Sequence, residues 1–408
     1  MIGMDAILVI NVGSSSVKFQ VFAVDSEGRL SRQIKGQVDG IGNRPRLRAT
    51  DAAGGTLANR AYPIENVPDM PAALMFVSAW LRDELQLNLL AIGHRVVHGG
   101  VHYDRPVLID HGVIARLERL EALAPLHQPH NLAPVRALLV DFPALPQVAC
   151  FDTAFHRGRG ELADRYAIPR QLHDEGIRRY GSHGLSYEYI ARILPDVAPE
   201  IAEGRVIVAH LGNDASMCAM QDRRSVESTM GFATVGGLPM GSRTGQIDPG
   251  VVLYLMTEKG MSPAEVQRFL CSDCGLKGLS GVSGDMRELQ NSSDPGAAFA
   301  VDYFIYSVAL QAGMLAAALR GLDGLVFTGG IGENSAAIRA GISERLGWLG
   351  VSLDPTENAR HGPLISRSDS RIPVYAVPTD VERMIAQHTL SVLWNQHSSS
   401  RPKRKQAL

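Results

Sequence analysis

Short aliphatic runs recur along the chain: AILVI (6–10), VKFQVFAV (17–24), AIGHRVV (91–97), QVACF (147–151), RVIVAHL (205–211), SMCAM (216–220), GLVFTGG (324–330) and IPVYAV (372–377). Their length, their β-branched content and the glycines and polar residues that bound them predict strands. Between them lie segments with helical spacing. The clearest are MPAALMFVSAWLRDEL (70–85) and AAFAVDYFIYSVALQAGMLAAALR (297–320), the second apolar enough for a buried helix. Strands alternating with helices predict an α/β architecture.

Two stretches share one plan. Ala6–Phe22 runs from an aliphatic strand through Asn11-Val12-Gly13-Ser14-Ser15-Ser16 into a second strand. Val206–Met220 does the same through His210-Leu211-Gly212-Asn213. The echo reads either as two ordinary hairpins or as two related domains, each opening on strand, turn, strand. A third glycine turn, TGGIGEN (328–334), follows a strand and leads into the helical SAAIRAGI. Backbone amides in such turns approach phosphates closely, and a following helix start favours negative charge. It is not a Walker A loop, because GxxxxGK[ST] is absent.

Polar residues interrupt these patterns at particular places. Arg95 stands inside a strand of Val and His, where it is either ion-paired or binding an anion. Asp152, in FDTAFH, sits at a strand's carboxyl end, where open α/β sheets bind ligands; an Asx-turn or cap is the plainer alternative. His127 and His130 lie in the proline-rich PLHQPHN, His183 lies between glycines in RRYGSHGLS, and Arg243 lies in the turn-rich LPMGSRTGQIDPG. Thr379-x-x-Glu382 reads as a capping box opening the last helix. Two arginines, glycine turns, hydroxyls, a lysine and an aspartate suit phosphoryl transfer, which needs positioning and charge stabilisation more than a nucleophilic side chain. GxSxG is absent, so a serine hydrolase is unsupported.

Composition narrows the picture. The chain has 408 residues, 45% of them hydrophobic, enough for roughly two or three domains. The formal net charge of −2 gives no global basic field for nucleic acid. The one charge run, RPKRK (401–405), reads as a solvated tail. Four cysteines are too few for a disulfide framework and suggest a reducing compartment. CSDC (271–274) is a lone CxxC without further ligands at zinc spacing. MIGMDAILVI lacks a basic n-region, so no signal peptide is expected, and no apolar run suggests a membrane span. The expectation is a cytoplasmic protein.

The chain resembles the acetate and propionate kinase family. The motifs in order are INVGSSSVK, GHRVVHGG, APLHQPHN, FDTAFH, RRYGSHG, HLGNDAS, MGSRTGQIDPG, SGVSGDMREL, TGGIGEN and PTDVE, covering residues 10 to 382. The resemblance implies two duplicated domains of the sugar kinase, actin and heat-shock ATPase (ribonuclease H-like) superfold with an interdomain cleft. It places residues 1–151 with 380–408 in the first domain and 152–379 in the second, nucleotide-binding one. It implies a homodimer and reversible, MgATP-dependent conversion of acetate to acetyl phosphate. Propionate or another short carboxylate is the alternative substrate, and a catalytically impaired nucleotide-binding relative the alternative in kind. Neither nucleic acid nor membrane is an implied partner.

By the same resemblance, Asn11 holds magnesium, or manganese in its place, and Lys18 contacts nucleotide. Arg95 binds the acyl substrate, Asp152 is the active-site aspartate, His183 and Arg243 stabilise the transition state, and His127 is a further active-site histidine. Val97, Leu126, Ser182 and Thr234 line the acyl pocket. ATP falls to His210, Leu211, Gly212, Asn213 and Asp214, to Asp285, Met286 and Arg287, and to Gly330, Ile331, Gly332, Glu333 and Asn334. Four positions depart from the family pattern. Ser182 replaces Phe, Thr234 replaces Pro, Asp214 replaces Gly, and Val381 replaces a metal-binding Glu whose neighbour here is Glu382.

Overall fold

The computed structural model describes residues 4–12, 16–84, 87–124 and 127–399. The chain divides into two compact units, Met1–Ala154 with Asp380–Leu408, and Phe155–Thr379.

The first unit carries β1 (Met4–Val12), β2 (Val17–Val24), β3 (Leu30–Asp39), β4 (Arg46–Asp51), β5 (Thr56–Ala61), β6 (Leu87–Val96), β7 (Val107–Leu108) and β8 (Gln147–Phe151). They form one sheet in the order β5-β4-β3-β2-β1-β6-β8-β7. β1, β6 and β8 run parallel, while β2 to β5 continue antiparallel from β1. Alternation along β2 sends Val17, Phe19 and Val21 to one face, where Ala73, Leu74, Val77 and Leu81 of the helix Met70–Glu84 complete a core. The helix Val381–Ser399 returns to pack on β1, β6 and β8. It approaches β6 so closely that a Cβ on Gly93 would lie 2.4 Å from Thr389 Oγ1, so only glycine fits there.

The second unit carries β9 (Arg205–Leu211), β10 (Ala215–Gln221), β11 (Arg224–Ser228), β12 (Gly324–Thr328) and β13 (Val374–Ala376), in the order β11-β10-β9-β12-β13. β9, β12 and β13 are parallel, and β10 and β11 are antiparallel. This is the pattern of β3-β2-β1-β6-β8 in the first unit, strand for strand. The echo between the two hairpin segments therefore extends over the whole five-stranded sheet of the second unit, which repeats the order and direction of β3, β2, β1, β6 and β8 in the first. The helix Gly184–Val197 covers one face of the second sheet and the helix Pro295–Leu319 the other.

That last helix differs from its expectation. Ala300, Phe304, Val308, Ala312 and Leu315 are buried, but Phe299, Tyr303, Tyr306, Leu310 and Met314 form an exposed stripe on the other side. Contrary to the expectation that no apolar run suggests a membrane span, it is also long and apolar enough, by length and composition, to cross a membrane. Its buried face belongs to the core of the second unit.

Candidate active site

In the first unit the polar residues gather at the carboxyl ends of neighbouring parallel strands. Asn11 is near the end of β1, Arg95 near the end of β6, and Asp152 follows β8 directly, its N–H donating to Val96 O at 3.2 Å. Arg95 Nε and Nη2 both donate to Asp152 Oδ2, at 3.0 and 2.6 Å. Arg95 Nη1 reaches Asn11 Oδ1 at 3.4 Å, and Asn11 Nδ2 donates to Glu382 Oε1 at 3.0 Å. Asp152 is 1% exposed, whereas the Arg95 side chain keeps 26% exposure. A buried carboxylate thus fixes a cation that still faces outward.

The capping-box expectation is corrected here. Arg383 N–H donates to Asp380 Oδ1 at 2.9 Å, so Asp380 caps the last helix, whose first residue is Val381. The Thr379 hydroxyl instead accepts from Ser186 Oγ at 2.9 Å. Glu382 turns to Asn11. Asn11 and Glu382 therefore offer an amide oxygen and a carboxylate, the hard donors that magnesium prefers with few protein ligands and several waters or phosphate oxygens. Among the described residues no cluster of three His, Cys, Asp or Glu could hold a metal.

Sequence reasoning missed the amides that fix this strand end. Asn131 Oδ1 accepts from Val97 N–H at 2.9 Å while its Nδ2 donates to Val12 O at 3.2 Å. Gln128 exchanges hydrogen bonds with the backbone of His98 at 3.2 and 3.0 Å. Both sit in HQPHN, where an amide on either side of the proline was the available signal. Val97 is buried, and His127 is half-buried just before the helix Gln128–Asp141. Leu126 lies outside the described residues. Lys18 is exposed on β2 and lines a cavity of about 330 Å³ together with Gln20, Lys35, Arg48 and Glu382.

In the second unit His183 holds a left-handed backbone, φ 57°, before the helix Gly184–Val197. A non-glycine residue keeps such strain only when its surroundings over-determine it. Here His183 Nδ1 and Ser216 Oγ are 2.7 Å apart, and the ring stacks on His210 at 4.4 Å. His210 Nδ1 is in turn 2.8 Å from Ser186 Oγ.

Arg243 is buried in its turn-rich segment, 8% exposed. Its Nη2 lies 3.2 Å from Asp214 Oδ2, and its Nη1 donates to Thr234 O at 3.3 Å. The CSDC segment is the platform beneath it. Ser242 Oγ donates to Cys271 O at 2.9 Å, Cys274 N–H to Ser242 O at 3.1 Å, and Leu276 N–H to Met240 O at 2.8 Å. Gly275, φ +61°, touches the same loop, where a Cβ would fall 2.1 Å from Met240 O. Burial pushes both thiols up, which makes them poor nucleophiles.

A groove of about 420 Å³ is lined by Gly212, Asn213, Asp285, Met286, Arg287, Gly330, Ile331 and Asn334, together with Gly284, Gln290 and Ser335, which sequence reasoning did not pick out. Asp285 caps the helix Met286–Gln290, and its hydrogen bond to Arg287 is the main cause that holds it at about 2. Leu211, the last residue of β9, and Gly332 are buried. The Glu333 carboxylate accepts from the N–H groups of Gly329 and Thr379, at 2.9 and 3.1 Å, and so holds the turn's shape. Fully buried Arg339 donates to the carbonyls of Gly332 and Glu333, at 2.8 and 2.9 Å, closing the turn from the other end. Ser182 is buried, its carbonyl 2.9 Å from His156 Nε2.

Known proteins match nearly the whole chain. The sequence model of the acetokinase family matches residues 6–387. The chain is 70% identical over 397 residues to an acetate kinase of Nitrobacter hamburgensis, covering 97% of this chain and 98% of that protein. It is 55% identical to an acetate kinase of Rhizobium meliloti, covering 96% and 99%. Among solved structures, a propionate kinase from Francisella tularensis aligns with a TM-score of 0.87 at 35% identity, covering 94% of this chain and 99% of that one. The Porphyromonas gingivalis acetate kinase aligns at 0.83 and 34% identity, covering 95% and 100%.

Proposed function

The chain belongs to the acetokinase family, and on that premise we propose that it transfers the γ-phosphoryl group of ATP reversibly to acetate, giving acetyl phosphate and ADP. The observation that carries this reading is the Arg95–Asp152 pair: a partly exposed guanidinium held by a buried carboxylate, suited to a small carboxylate ligand. Acetate is ionised at neutral pH, so no general base is required. Asp152 then acts by orienting Arg95. The acceptor oxygen attacks the γ-phosphorus, and the bond from that phosphorus to the β–γ bridging oxygen breaks as ADP leaves. His183 and Arg243, both fixed by neighbours, are assigned to the charge that spreads over the transferring oxygens.

The groove around Asn213, Arg287 and Gly330 is assigned to the nucleotide, its amides and glycine turns facing the phosphates. Asn11 and Glu382 are the residues that would hold magnesium. The ion, when bound, neutralises phosphate charge. Ser182 and Thr234 leave the acyl pocket less filled than the family's Phe and Pro, so propionate is the second acceptor to test. We place the enzyme in the cytoplasm as a homodimer, with the exposed stripe Phe299–Met314 as its contact, because contiguous apolar surface of this kind marks association.

The test is hydroxylamine trapping of acyl phosphate from purified protein, ATP and magnesium, with acetate, propionate and butyrate in parallel. Turnover with acetate that is lost in Arg95→Ala is the expected result. Nucleotide binding with no acyl phosphate from any acid would overturn the reading.

A further inference from the structure

Outside the residues already described, the second unit holds a dense group of arginines. HRGRG and IRRYG contribute Arg157, Arg159, Arg178 and Arg179. Two carboxylates serve all four. Asp164 lies 3.8 Å from Arg157 Nη1 and 3.1 Å from Arg178 Nη1, and Glu227 lies 3.6 Å from Arg159 Nη1 and 3.0 Å from Arg179 Nη2. His173 Nε2 shares Asp164 as well, at 3.1 Å. The two halves are one cluster: Arg159 Nη2 donates to Arg179 O, and Arg179 N–H donates to Asp164 O at 2.9 Å. Four guanidiniums against two carboxylates leave an excess of two positive charges.

The cluster is also short of acceptors. Nε of Arg157, Arg178 and Arg179 and Nη1 of Arg159 are buried without a hydrogen-bond partner among the described residues. The Arg159 side chain is 1% exposed. Buried donors are nearly always satisfied, and buried like charges repel strongly in a low-dielectric interior. Gly158 and Gly160, which flank Arg159, are exposed, and a Cβ on either would meet nothing within 4 Å, so the segment that carries Arg157 and Arg159 borders solvent.

We propose that Arg157, Arg159, Arg178 and Arg179 bind a small inorganic dianion of the phosphate class. One such ion supplies oxygen acceptors for several guanidinium N–H groups and cancels the two-charge excess, which a halide would only halve. The site is built from residues that the nucleotide groove does not use. Its occupancy firms the segment leading to His183, because Arg179 Nη2 also donates to Ser228 O at 2.9 Å and Tyr180 and Gly181 N–H both bond Gly231 O.

The test uses the full chain with magnesium and a saturating non-hydrolysable ATP analogue, so that the phosphate subsites of the groove are filled. Equilibrium dialysis with radiolabelled inorganic phosphate should find a single further phosphate per chain. Thermal melting should rise by roughly 5 °C at saturating phosphate over a chloride buffer of equal ionic strength. Arg157→Gln and Arg159→Gln should each lose most of that increment while keeping the increment given by the ATP analogue. No phosphate bound by the wild-type chain overturns the proposal even if both variants fail to fold. An equal rise with chloride overturns the dianion assignment, and an unchanged phosphate increment in folded variants overturns the location.

Discussion

Asn11 Nδ2 donates to Glu382 Oε1 at 3.0 Å, joining residues 371 positions apart. The bond exists because Asp380 takes over the helix cap and leaves the Glu382 carboxylate free to turn toward β1. Glu382→Gln keeps the cap and the helix but removes the charge. The magnesium concentration for half-maximal acyl phosphate formation should rise about tenfold or more. The stabilisation by magnesium in a melting experiment should fall with it. An unchanged magnesium requirement would remove Glu382 from the metal site.

Arg95 and Asp152 act as one device, and their variants should show it. Arg95→Ala should lower kcat/KM for acetate by roughly 10³-fold or more. Asp152→Asn should also impair acetate use, because an amide holds the guanidinium less firmly than a carboxylate. Nucleotide affinity, measured by calorimetry, should stay near wild type in both. A parallel loss of nucleotide binding would indicate a folding defect instead.

Asp214 occupies a position where the family pattern has glycine, and its carboxylate lies 3.2 Å from Arg243 Nη2. That contact competes with phosphate oxygens for the guanidinium. Asp214→Gly should raise kcat/KM for ATP by about fivefold, corresponding to the ~1 kcal/mol of a partly exposed ion pair. Steady-state kinetics with varied ATP checks this, and a fall in kcat/KM would mean that Asp214 positions Arg243 productively.

Acid should destabilise the protein through two buried histidines. Burial pushes His94 down to about 4, opposed by its hydrogen bond to Gln147, and burial with the nearby charge of Arg159 pushes His156 down to about 3. Above about pH 6.5 both are neutral in folded and unfolded chains, so their contribution is at its ceiling. As pH falls below that value the unfolded chain takes up protons that the folded chain refuses. Each histidine then removes about 1.4 kcal/mol per pH unit until its folded value is reached. Urea midpoints between pH 8 and 5 measure the slope, and His94→Gln should make it shallower.

Tyr303 and Leu310 stand on the exposed stripe of the helix Pro295–Leu319. A charge placed in a buried apolar contact is strongly unfavourable. Leu310→Glu should therefore shift the sedimentation coefficient from dimer to monomer without loss of helical signal. A wild-type chain that sediments as a monomer would exclude this contact.

Much of the molecule is legible in its sequence, and the reason is local. Strand runs such as RVIVAHL and glycine turns such as TGGIGEN follow from backbone sterics and side-chain alternation, which act over a few residues. Their ordered motifs were enough to point to the family. What remained depended on which distant groups compete for the same side chain. Thr379 and Asp380 are both good caps, and only Ser186 and Glu333, which engage the Thr379 hydroxyl and N–H, leave the cap to Asp380. The pattern of the helix Pro295–Leu319 is apolar on every side, and only its packing on the second sheet divides it into a buried face and an exposed one. CSDC lacked the spacing of a zinc site, and only the fold shows what it does, as backbone support under Arg243. The four arginines carry no periodic signal, and their shortage of acceptors exists only where the chain has folded them together, because charge balance is a property of neighbours in space rather than in sequence.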